Sequence, residues 1–156
     1  MNVLFVCTGN TCRSAMAEEI AEDIGDASTK DFKFKSAGTF ACEGDPATDE
    51  AIEVMDEIGL DIEKHKSSQF DKDLAVWADI IFAMEAKHIE EMEAMAPEEE
   101  HKMHTLLGYA AGITGYPGEE GYDIIDPYRD PIEDYRETRD QLREAIEIVI
   151  KKLEQQ

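Results

Sequence analysis

An apolar run near the amino terminus, Val3-Leu-Phe-Val6, passes straight into Cys7-Thr-Gly-Asn-Thr-Cys-Arg13-Ser14, and a helix-forming stretch follows. This order constrains the fold more than any other part of the chain. A run that is apolar on both faces reads as a central strand of a parallel sheet. The reversal into the helix must then be completed in a few residues, at the carboxyl end of that strand. Free N–H groups at the helix start, together with the helix dipole, favour negative charge there. Gly9 and Asn10 permit the turns that aim the N–H groups of Thr8, Gly9, Asn10, Thr11, Cys12 and Ser14 inward. The setting favours the nucleophilic thiolate of Cys7, and the same loop can hold a phosphate-like dianion. Arg13 adds a planar, permanently charged fork suited to phosphate oxygens.

The remaining pattern alternates strands with helices. A helix is expected from about Ala15 to Ile24, ending near Gly25, with Ser14 able to cap it. Phe32 to Lys35 alternates as a second, more exposed strand. Pro46 is placed in the first turn of a helix carrying Ile52, Met55 and Ile58 and ended by Gly59. A short helix from near Asp71 to Trp77 precedes a buried third strand, Ile80-Ile-Phe82. Glu85 to Met95 reads as an acidic helix stopped by Pro97. Met103 to Leu107 is a fourth strand, and Gly108 to Asp130 a long loop rich in Gly, Pro and Tyr, of the kind that carries function. The last helix starts near Pro131 and keeps a stripe of Tyr135, Leu142, Ile146, Val149, Ile150 and Leu153. The expected fold is α/β, a single three-layer domain over residues 1–156: a four-stranded parallel sheet flanked by helices, with the ligand at the carboxyl ends of the strands.

Composition narrows the function classes. The 156 residues include 15 basic and 37 acidic ones, a net charge of −22. A nucleic-acid surface is not expected, because neutralising phosphates needs basic patches. No apolar run is long enough to span a bilayer, and Met1 to Val6 lacks the basic flank of a signal peptide, so a cytoplasmic protein without membrane contact is expected. Three cysteines do not make a disulfide framework, and no cysteine pair stands at zinc-ligand spacing. His88, His101 and His104 lie among glutamates and read as solvated rather than as metal ligands. No metal or cofactor is implied.

The segment Cys7-Thr-Gly-Asn-Thr-Cys-Arg-Ser14, with Asp126-Pro127-Tyr128 far downstream, resembles the low-molecular-weight protein tyrosine phosphatase family. Ser36-Ala-Gly38 and His65-Lys66 extend the likeness, which covers almost the whole chain. The resemblance implies the flavodoxin-like sheet of that family and a monomer acting on a phosphorylated protein, with inorganic phosphate or another oxyanion able to occupy the loop. It implies Cys7 as nucleophile, forming a phosphocysteine, and Arg13 with the loop N–H groups as the phosphate binder. Asp126 is implied as general acid and then base. A turn-forming Asp before Pro127 is the plain alternative for Asp126, and Asp123 and Asp130 are rivals for its role. Tyr128 matches the aromatic wall of the family, or is ordinary surface packing. Asn10, Ser14, Ser36 and His65 match positions that brace the loop, and Ser14 could also hydrogen-bond the thiolate. Cys12 matches a thiol that can trap an oxidised nucleophile, or is simply packed in the loop.

The substrate is left between two branches. Thr11 resembles the phosphoarginine phosphatase branch, where tyrosine-directed members carry a branched apolar residue. Tyr128 favours phosphotyrosine, and Arg129, which departs from both patterns, should disfavour phosphoarginine. Ala15 replaces a proline usual after the Arg-Ser. The resulting expectation is hydrolysis of phosphotyrosine-type monoesters, with phosphoarginine as the alternative. Arsenate reduction needs two relay cysteines after the third strand, and Ala83 to Met95 contains none. A non-catalytic oxyanion-binding module is the remaining class.

Overall fold

The computed structural model describes residues 1–113 and 121–156. Four parallel strands run in the order β2-β1-β3-β4. They are β1 (Asn2–Cys7), β2 (Lys33–Gly38), β3 (Ile80–Ala83) and β4 (Met103–Thr105). Between and after them come α1 (Arg13–Gly25), α2 (Asp49–Asp56), α3 (Lys72–Trp77), α4 (Ala86–Met95), a 3-10 turn (Pro97–Lys102), α5 (Leu106–Ala110) and α6 (Ile132–Glu154). The three-layer α/β expectation therefore holds.

β1 is central and its side chains alternate between two cores. Val3, Phe5 and Cys7 join a cluster with Met16, Ile20, Val54, Met55 and the apolar stripe of α6. Leu4 and Val6 join the opposite cluster with Phe70, Ala75, Ile89 and Met92 from the α3 and α4 side. Burial on both faces is why these residues form a continuous apolar run. The chain leaves β1 for α1 on one face and β3 for α4 on the other. Neighbouring strands thus send their connections apart, which opens a crevice at their carboxyl ends.

Several boundaries differ from the sequence expectation. β2 runs on to Gly38, because Ser36, Ala37 and Gly38 stay in register with Phe5, Val6 and Cys7. Ser14 does not cap α1: the helix begins at Arg13, and its N-cap, Cys12, makes no side-chain capping bond. Pro46 lies before α2 rather than in its first turn, and Thr48 is the cap, its hydroxyl accepting from the Ala51 N–H. β4 stops at Thr105, whose side chain accepts from the Gly108 N–H and starts α5. That cap takes over the first residues of the long loop expected from Gly108. Residues 114–120 of that expected loop lie outside the described residues. His88 is fully buried rather than solvated. No helix among the described residues is long and apolar enough to cross a membrane.

Candidate active site

The loop between β1 and α1 is closed around Asn10. Asn10 adopts a left-handed backbone, φ 58°, a conformation that Asn tolerates better than most residues when its side chain is held. The hold is complete. Its Nδ2 donates to Ser14 Oγ at 2.7 Å and to Ser36 Oγ at 2.9 Å, and its Oδ1 accepts from the Ser68 N–H at 2.9 Å. The Asn10 carbonyl accepts from Ser67 Oγ at 2.9 Å and stands 2.7 Å from His65 Nε2. Burial holds His65 below its ordinary pKa, so its ring is neutral around pH 7. Ser36 and His65 thus brace the loop from β2 and from the segment before α3. Gly38 completes the support by absence of bulk: a Cβ there would stand 2.3 Å from the Thr8 carbonyl oxygen.

Cys7 sits inside this frame, 3% exposed. Its Sγ is 2.9 Å from Ser14 Oγ and accepts from the Asn10 N–H at 3.3 Å. Ser14 Oγ accepts from Asn10 and lies 3.3 Å from the Ala37 carbonyl, so its one proton is shared between that carbonyl and the sulfur. Cys12 is packed against Thr48 and Tyr135 hydroxyls, both at 3.6 Å, and burial pushes its thiol pKa up. It is held as a thiol beside the anion site rather than as a second anion.

Arg13 is 1% exposed and anchored from the far side of the crevice. Its Nη1 donates to Glu85 Oε2 at 2.6 Å and to the Ile124 carbonyl at 2.7 Å. Nε and Nη2 keep no protein hydrogen bond among the described residues. That leaves one edge of the fork for an oxyanion. Glu85 was not singled out by sequence reasoning for this role. The signal was present in its position, directly after β3 at the carboxyl end of a strand.

Asp126 approaches from residues 121–131. Ile124 is fully buried, and its N–H donates to the Met84 carbonyl at 2.8 Å, pinning the segment to the end of β3. Asp126 Oδ2 then stands 3.6 Å from Arg13 Nη2. Asp126 Oδ1 also accepts from the Tyr128 N–H at 3.1 Å, so the Asp-Pro turn and the approach to Arg13 coexist. Asp123 accepts instead from the Ala86 N–H at the start of α4. A cleft of ≈ 650 Å³ is lined by Cys7, Arg13 and Asp126 together with Thr8, Gly9, Thr11 and Cys12, and by the exposed Tyr128 and Phe40 at its rim. Asp123 and Asp130 do not line it. Asp45 and Asp49 do, which makes the mouth acidic. Arg129 lies 5.4 Å from the Tyr128 ring and is not part of the lining. That cation thus stands beside the cleft mouth, against a lining residue, without itself forming the wall. Among the described residues, no group of three or more His, Cys, Asp or Glu side chains could hold a metal ion.

A thiol at the carboxyl end of the central parallel strand, reached by the Asn10 N–H and sharing its cleft with a buried arginine, is an arrangement suited to cysteine-centred phosphatase chemistry. A sequence profile described as "Low molecular weight phosphotyrosine protein phosphatase" matches residues 2–156, and the chain belongs to that family. It is similar to a protein-arginine-phosphatase of Geobacillus stearothermophilus, 39% identical over 97% of this chain and 95% of that one. The structure of a low molecular weight protein tyrosine phosphatase from T. tengcongensis superposes with a TM-score of 0.87 at 41% identity, covering 97% of this chain and 99% of that one. The YwlE arginine phosphatase, in a cysteine-to-serine variant with a phosphorylated active-site serine, gives a TM-score of 0.89 at 33% identity, covering 98% and 95% of the two chains.

Proposed function

We propose that this chain is a protein phosphatase that transfers a phosphoryl group to Cys7 and then to water. The carrying observation is that Cys7, the free edge of Arg13 and the Asp126 carboxyl line one cleft. In the first step the Cys7 thiolate attacks phosphorus in line with the leaving oxygen. The S–P bond forms, the P–O bond breaks, and the leaving oxygen takes its proton from Asp126. Arg13 and the loop N–H groups hold the equatorial oxygens. In the second step Asp126, now a carboxylate, removes a proton from water as the water attacks phosphorus. The S–P bond breaks and phosphate leaves. The Ser14 hydroxyl, 2.9 Å from Sγ, donates to the departing thiolate. The phosphorylated serine of the YwlE variant supports the covalent step by analogy. The reading carries with it a cytoplasmic monomer.

Phosphotyrosine-type monoesters are the first substrate reading, since Tyr128 stands half-exposed at the rim where a flat ring can pack. Phosphoarginine is a second reading, favoured by a specific arrangement. Thr11 offers a hydroxyl in the cleft wall, and Asp45, Asp49 and Asp126 suit a cationic guanidinium. The chemistry is unchanged except that a P–N bond breaks. Hydrolysis of matched phosphotyrosine and phosphoarginine peptides, by wild type and Thr11→Ile, tests both. A shift of the kcat/KM ratio toward phosphotyrosine in the variant assigns Thr11 to guanidinium recognition. Rapid-quench trapping should show phosphate on Cys7. Appreciable turnover by Cys7→Ser would sink the mechanism.

A further inference from the structure

His88 lies within the first turn of α4, fully buried, and its two ring nitrogens have unequal partners. The Glu85 backbone N–H donates to Nδ1 at 3.1 Å. A backbone amide can only donate, so Nδ1 is an acceptor and the ring proton lies on Nε2. Nε2 stands 2.8 Å from Thr8 Oγ1. The histidine therefore donates to the threonine. Burial, then the charges of Arg13 and Lys87, keep the ring neutral, with its pKa pushed down to about 3 against a smaller opposing pull from Asp126. A protonated ring would also turn an N–H onto the Glu85 N–H.

A hydroxyl that has accepted one hydrogen bond still has its own proton to give. Thr8 makes no other side-chain hydrogen bond among the described residues, and it lines the cleft beside Cys7 and Arg13. Glu85 joins the two arms: its backbone orients His88, and its carboxylate holds Arg13.

We propose that His88 is a positioning residue of the oxyanion site, holding Thr8 so that the threonine hydroxyl proton turns into the cleft and donates to the anion bound there. The proposal rests on the loop being an oxyanion site. It adds one side-chain donor to the backbone N–H groups, set by α4 rather than by the loop itself.

The test uses the whole chain with inorganic phosphate as the probe, followed by titration calorimetry, alongside turnover of para-nitrophenyl phosphate. Thr8→Val removes the hydroxyl at constant shape. His88→Asn keeps an acceptor near Nδ1 for the Glu85 N–H but cannot reach Thr8, whereas His88→Gln carries an amide donor to the Nε2 position. Thr8→Val and His88→Asn should each weaken phosphate binding about ten-fold, as the loss of one hydrogen bond to an anion does. His88→Gln should recover most of that, and the double variant Thr8→Val with His88→Asn should be no weaker than either single change. Wild-type affinity in Thr8→Val, additive losses in the double variant, or no recovery with Gln would each overturn the proposal. If His88→Asn fails to fold, Thr8→Val decides alone. A wild-type chain that binds phosphate but hydrolyses no phosphorylated substrate overturns the phosphatase reading and leaves this one standing.

Discussion

Residues 7–14 are largely shielded from solvent, while residues 121–131 across the cleft are mostly exposed. Asn10 and Ser14 are fully buried, and Arg13 nearly so, whereas Ile125 is 78% exposed and Tyr128 51%. The first region has a partner for every Asn10 side-chain atom that can bond. The second hangs from few tethers: Ile124 to Met84 and to Arg13, Asp123 to Ala86, and the Asp126 carboxylate near Arg13. The contrast fits the roles proposed for the two regions. A site for a dianion gains from donors fixed in advance, because no reorganisation is then needed when charge arrives. A group that gives and takes a proton needs access to leaving group and water, and so stays near solvent.

The contrast makes different demands on stability. In the buried region stability and activity should fall together. Asn10→Ala loses three side-chain bonds and puts Ala in a left-handed backbone. Chemical denaturation should show a loss of about 4 kcal/mol, at about 1 kcal/mol for each bond and for the backbone, with phosphate affinity lost as well. A variant as stable as wild type would break the comparison. In the exposed region the two should separate. Asp126→Asn should cut turnover of a poor leaving group about 100-fold and that of para-nitrophenyl phosphate much less, while the thermal midpoint stays put. Equal losses on both substrates would remove Asp126 as the acid.

Acid sharpens the same contrast through His88. Its folded-state pKa of about 3 lies below the ordinary 6.5, so the unfolded chain binds the extra proton between those values. Its contribution is therefore present above pH 6.5 and is lost as pH falls toward 3. Wild type should lose about 2 kcal/mol more than His88→Asn between pH 7 and pH 5, in denaturation measured at both. The smallest effect belongs to the exposed segment. Ile125→Ser should change stability by less than about 0.5 kcal/mol, because the side chain leaves little water-excluded surface behind. A large loss there would mean that the segment is held by more than its few tethers.

Much of this site was legible in the chain. The step from an apolar run into Cys7, Gly9, Asn10 and Arg13 dictates a strand, a tight anion-holding turn and a helix, because each is a local consequence of residue type. The left-handed Asn10 is of the same kind. The fold class followed from alternating periodicities, though boundaries set by caps did not: Thr48 caps a helix that the pattern began near Pro46, and Thr105 caps one that the pattern read as strand and loop. Asp126 could be singled out from Asp123 and Asp130 only by resemblance. In space the choice rests on which of the three carboxylates lines the cleft.

What the sequence determined by itself is the chemistry one loop can offer: a thiol, a fork and a ring of N–H groups, since neighbours in the chain are neighbours in the turn. Tertiary structure alone decided who holds them. Glu85 reaches Arg13 across 72 residues, and His88 reaches Thr8 across 80. Such pairs leave no local periodicity to read. They exist because β3 lies beside β1 and delivers its carboxyl end to the same crevice, and burial there turns a histidine from a solvated side chain into a neutral, directed donor.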